Sequence, residues 1–129
     1  MKTASFILLL SLLCFACTQR TPLQSLIHDA DVVKVFVYSG NGLVMHYESN
    51  DVPTIQYWKN FIADDSAKTS TGCIREGKII FKTSEDSTIM EFSLKEGCRY
   101  VTYQLNGMNY NKSLTEAGRM FIDSLMRAQ

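Results

Sequence analysis

The stretch KIIFKTSEDSTIMEFSLKEGCRYVTYQL, residues 78–105, decides how this chain folds. It holds three runs rich in β-branched and aromatic residues: Lys78–Thr83, Thr88–Leu94 and Cys98–Leu105. Such residues suit a pleated, half-buried surface. The connectors SEDS and KEG are short and made of turn formers, so neighbouring runs double back as an antiparallel meander. Period-two alternation places Ile79, Phe81, Met90, Phe92, Val101 and Tyr103 on one side of that meander.

Upstream, VVKVFVY (32–38) and LVMHYE (43–48) flank SGNG and read as a hairpin. The period then changes in SNDVPTIQYWKNFIAD (49–64). Asp51 or a neighbour can cap a helix, Pro53 sits in its first turn, and Ile55, Trp58 and Ile62 recur at helical spacing. A polar loop, Asp64–Gly72, follows. Downstream, Asn106-Gly107 ends the last strand, and Ser113 with Glu116 forms a capping box for a final helix. That helix has a stripe of Leu114, Ala117, Phe121 and Leu125. The order ββα-βββα predicts a two-layer α+β domain over residues 26–129. Its antiparallel sheet has about five strands, with two helices on one face.

The helices are expected over the side that collects Val33, Val35, Val37, Leu43, Met45 and Tyr47 with the apolar residues of the meander. The opposite side mixes Lys34, His46, Glu48, Lys78 and Glu91 with Phe36, Tyr38, Ile80 and Tyr100. Those last four are more apolar than a solvated face requires, and aromatics ringed by polar groups make an interface centre. They are the candidate partner-binding residues. An ordinary sheet surface with scattered hydrophobes is the competing reading.

The N-terminus reads MKTASFILLLSLLCFACTQRTP (1–22). A basic Lys2, an apolar Phe6–Leu13 run broken only by Ser11, and then small residues follow the order of an export signal. The run is too short to span a bilayer, which takes about 20 apolar residues. Ala16 directly before Cys17 resembles the lipobox of bacterial lipoproteins, in a relaxed form with Cys14 and Phe15 at the two preceding places. The resemblance implies a signal peptide of residues 1–16, a diacylated Cys17 and a tether over residues 17–25. It also implies a cell-envelope location. Thr18, not Asp, follows Cys17, which points to the outer membrane facing the periplasm.

Ordinary secretion is the alternative, because Cys14-Phe15-Ala16 also approximates a cleavage site. Parity favours lipidation: with Cys17 acylated, Cys73 and Cys98 remain as an even pair. Both fall at the same end of the meander. With no C-x-x-C motif and an oxidising compartment, they read as a structural disulfide rather than a redox pair.

Thirteen basic residues balance thirteen acidic ones, so there is no electrostatic case for nucleic acid and no polybasic membrane patch. Hydrophobic content of 46% and aromatic content of 11% suit one folded globule. Of the two histidines, His28 sits in His-Asp-Ala-Asp without a clear further ligand, and His46 alternates with Glu48 along a strand. No G-x-S-x-G, H-E-x-x-H or phosphate-binding glycine loop appears, and no cofactor or metal site is expected. The expected function is a binding or accessory module of the envelope, an inhibitor, immunity or assembly factor. Its partner would be an envelope protein or a glycan. A small periplasmic hydrolase or redox accessory enzyme is the alternative.

Overall fold

The computed structural model describes residues 21–68 and 71–128. Its first described element is a helix where the sequence suggested part of a tether. The Thr21 side-chain oxygen accepts from the Gln24 amide at 3.3 Å, and Gln24 Oε1 accepts from the Thr21 amide at 3.1 Å. This capping box, with Pro22 in the first turn, starts α1 (Pro22–Asp29). Leu23 and Ile27, one helical turn apart, are both buried. Residues 21–25, read from sequence as part of the tether, thus take part in this cap and helix.

The remaining elements are β1 (Val32–Ser39), β2 (Gly42–Ser49), α2 (Val52–Tyr57), a 3₁₀ turn (Trp58–Asn60), β3 (Ile62–Ser66), β4 (Gly77–Lys82), β5 (Ser87–Ser93), β6 (Tyr100–Leu105), β7 (Met108–Leu114) and α3 (Glu116–Arg127). The strands form one antiparallel sheet in the order β2-β1-β4-β5-β6-β7-β3. The expected five-strand, two-helix α+β architecture is thus wrong. Among the described residues the protein is mostly sheet, seven strands with three short helices. The five strands read from sequence are β1, β2, β4, β5 and β6.

The two extra strands have identifiable causes. Asn106 and Gly107 have φ of 51° and 76°, the paired left-handed geometry of a two-residue hairpin turn. The chain therefore doubles back into β7 instead of ending the sheet. β7 (MNYNKSL) carries two asparagines and a lysine, residues with little intrinsic strand preference, yet it is paired on both sides. β3 (IADDS) buries only Ile62, because it is an edge strand that pairs irregularly with β7. Ile62, expected on a helical stripe, lies opposite Leu114 instead. The helix has already ended: α2 is capped by Asp51, whose Oδ2 accepts from the Thr54 amide at 2.9 Å, and it tightens into the 3₁₀ turn at Trp58.

The last helix starts later than the S-x-x-E motif suggests. Thr115 is its cap, accepting from the Gly118 amide at 3.1 Å, while Ser113 lies opposite Tyr100 in the ladder. The buried face of α3 accordingly centres on Gly118 and Ile122, with Phe121 and Leu125 half-buried and Ala117 exposed.

Leu23, Ile27, Ile55, Trp58 and Ile122 from the helical segments join Val33, Val35, Met45, Ile79, Phe81, Met90, Phe92 and Val101 in a single core. The helices therefore cover one face of the sheet. Leu43 was expected in that core but is 56% exposed. The register shifts between Val37 and Tyr38, so Met45 faces Val37 but Leu43 faces Tyr38, leaving Val44 as the extra residue of a bulge. The bulge turns Leu43 to Tyr38's side.

The sheet order imposes two long connections. One runs from edge strand β2 to the opposite edge strand β3 through α2 and the 3₁₀ turn, and the other is a crossover from β3 to β4. β3 lies beyond β7 and β4 lies between β1 and β5, so the chain must pass the ends of β7, β6 and β5. The described part of the crossover is tied to the sheet at several points, the Arg75–Glu91 ion pair among them. A disulfide joins Cys73 to Cys98, with Cα atoms 5.5 Å apart. The Glu76 carboxylate accepts from the Leu94 amide at 2.6 Å, the Lys95 amide at 3.1 Å and the Ser93 hydroxyl at 3.2 Å.

Candidate partner-binding face

The sheet face away from the helices carries most of the residues singled out in the sequence. The hairpin register places His46 directly across from Phe36, and β4 places Lys78 on its other side. The Phe36 and His46 rings stack with centroids 4.6 Å apart and planes 6° off parallel. Lys78 Nζ lies 5.1 Å from the Phe36 ring centroid and 5.9 Å from that of Tyr38. A cation at these distances is drawn to the ring face. The result is a half-exposed platform of two stacked rings with one positive charge shared between two aromatics.

A charged rim surrounds it. Glu48 accepts an ion pair from Lys34 at 2.9 Å and lies 3.8 Å from His46 Nε2. The Lys34 hydrogen bond holds the Glu48 carboxyl below its ordinary pKa, so it is anionic at neutral pH. Lys78 stands opposite Glu91, which pairs with Arg75 of the crossover. Glu91 in turn stands opposite Thr102, whose hydroxyl hydrogen-bonds Asn111 Oδ1 at 2.9 Å. One continuous polar row thus runs from β2 to β7 with an aromatic group at one end.

The four proposed anchors fare differently. Phe36 and Tyr38 belong to the platform. Ile80 lies beside it, half-buried, opposite Lys34 and opposite Ile89, which is 51% exposed. Tyr100 does not belong. It is only 9% exposed, far along the sheet between Ser93 and Ser113, and shares a crevice with Ala67 and Lys68 where the crossover begins. Its strand phase was right, but the crossover covers that corner of the face. Tyr100 is therefore buried and apart from the platform.

His46 and Lys78 are the functional candidates that sequence reading left aside. His46 could not have been found by counting back from the SGNG turn, since the bulge at Val44 shifts its partner by one residue. Nor could Lys78, because β1–β4 pairing joins strands almost forty residues apart. His28 sits apart from the platform, its Nδ1 2.8 Å from Asp29 Oδ1 with both side chains exposed. Cys17 and the expected export signal lie outside the described residues. Among the described residues, no helix is long and apolar enough to cross a membrane.

No protein-family model, no curated protein and no solved structure matches this chain.

Proposed function

We propose that this protein is a lipid-anchored module of the bacterial envelope that binds another envelope protein or a glycan through its open sheet face. The observation that carries the reading is the Phe36–His46–Tyr38–Lys78 platform. Its flat rings, one shared cation and ionised rim suit a partner that presents a ring or apolar edge together with a carboxylate or hydroxyls. The Ala16-Cys17 motif supports attachment through the acylated cysteine. An acyl chain contributes about 0.8 kcal/mol per buried methylene, so several chains hold a protein firmly.

Two measurements test the two halves of this reading. Cys17→Ala is expected to move the protein from the membrane to the soluble envelope fraction. A wild-type protein that is already soluble and takes up no fatty-acid probe would establish ordinary secretion instead. Phe36→Asp is expected to lower capture of the main partner from crosslinked envelopes by about tenfold, the effect of losing roughly 1.4 kcal/mol at an interface centre. The control is Met108→Ser, a change at an exposed residue of the β6–β7 hairpin. Equal capture by both variants, with both folded, would place the docking site elsewhere.

A further inference from the structure

We propose that the helical side of the protein rests on the phospholipid surface, with Val52, Tyr57 and Lys59 touching the headgroup region and the open sheet face turned away from the membrane. This rests on the reading of Cys17 as the lipid anchor and adds to it an orientation. The first observation is a length. Only Thr18, Gln19 and Arg20 separate Cys17 from Thr21, the cap of α1. Even fully extended, that link spans about 14 Å. A domain held so closely cannot stand clear of the bilayer, and the side from which the link emerges faces it.

That side can be identified. The link enters at Thr21, whose amide is bound by Gln24. Gln24, with Ile27 and His28, lines a crevice whose other wall is Gln56 and Lys59. Gln56 Nε2 also donates to the Ile27 carbonyl at 3.2 Å, so α1 and α2 form one surface. Beyond Gln56 that surface presents Val52, 64% exposed, and Tyr57, 60% exposed, with Pro53 and Lys59 beside them. Neither Val52 nor Tyr57 is among the residues packed on the core. An aliphatic residue, a tyrosine and a lysine with its long apolar stem are side chains that settle at the boundary of headgroups and acyl chains. Because the helices lie on the sheet face opposite Phe36, this placement turns the aromatic platform outward, where a partner can reach it.

The test uses the acylated chain in vesicles of phosphatidylethanolamine and phosphatidylglycerol that contain a nitroxide-labelled lipid. A fluorophore is attached through Tyr57→Cys or through Gln104→Cys, the latter exposed on the open face. With Cys17 acylated and Cys73 bridged to Cys98, the introduced thiol is the one that reacts. Quenching of roughly half the fluorescence or more at position 57, with position 104 unquenched, is expected for a surface seated at headgroup depth. No quenching at position 57 while the protein stays on the vesicles would overturn the orientation and leave the anchor standing. Quenching at 104 rather than 57 would invert it. A wild-type protein recovered from cells with no acyl group on Cys17 would overturn the anchor and the orientation together.

Discussion

Trp58→Ala is expected to lower the melting temperature by on the order of 20 °C, the equivalent of about 3–5 kcal/mol for truncating a large aromatic in a core. Trp58 is fully buried in the 3₁₀ turn that links α2 to β3. Its indole meets Phe61, Phe81 and Phe121 edge-on at centroid distances of 5.2, 6.1 and 5.7 Å. Phe61 and Phe121 also stack on each other at 4.9 Å. One side chain therefore joins the turn, the sheet and α3, so its removal loosens three elements at once. Domains of this size are stable by about 5–15 kcal/mol, and the loss is a large share of that. A second variant separates packing from hydrogen bonding. Trp58 Nε1 has no hydrogen-bond partner among the described residues. Trp58→Phe then removes an unsatisfied polar group along with some volume, and should cost less than half of what alanine does. Equal losses for Phe and Ala by thermal denaturation would show that the indole nitrogen is bound after all.

The paired change Cys73→Ser with Cys98→Ser is expected to cost about 3.5 kcal/mol on the chain-entropy model for a separation of 25 residues. The effect should be local before it is global. The disulfide pins the middle of the crossover, so amide exchange should rise first in residues 71–76 and around Tyr100. The β1–β2 hairpin, held by its own register and by β4, should keep its protection. Partner capture through Phe36 should then persist in the folded fraction. A rapidly alkylating thiol at Cys73 or Cys98 in the untreated protein would instead indicate redox chemistry.

Several features were written in local sequence because local physics determines them. The β1–β2 and β4–β5–β6 runs alternate apolar and polar residues at the strand period, and no helix could bury that pattern. The Asp51 cap and the proline after it start α2 without help from elsewhere. The Thr21–Gln24 capping box was equally legible, but the polar residues around it concealed a two-residue apolar stripe. Asn106-Gly107 was readable as a hairpin turn too; the weak strand character of Met108–Leu114 hid its consequence.

Other features exist only because distant segments meet. β3 and β7 have little strand preference of their own and are held by backbone pairing with strands already in place. The burial of Tyr100 depends on a crossover whose path is set by sheet order, which no period encodes. The contact of Lys78 with the Phe36 ring requires β4 to dock against β1. Gly77 makes the point most sharply. In sequence it looks like one more turn glycine, yet it lies within the sheet between Val37 and Phe92. A Cβ there would come within 2.3 Å of both the Phe36 carbonyl oxygen and the Phe92 ring. What the chain alone determined is the strand and helix periods and the turns, all matters of a few neighbouring residues, together with the cysteine pair, which parity rather than proximity made legible. The tertiary structure decided the seven-strand order, the covered corner and the open aromatic platform, because long-range backbone pairing and steric exclusion act between residues that sequence distance keeps apart.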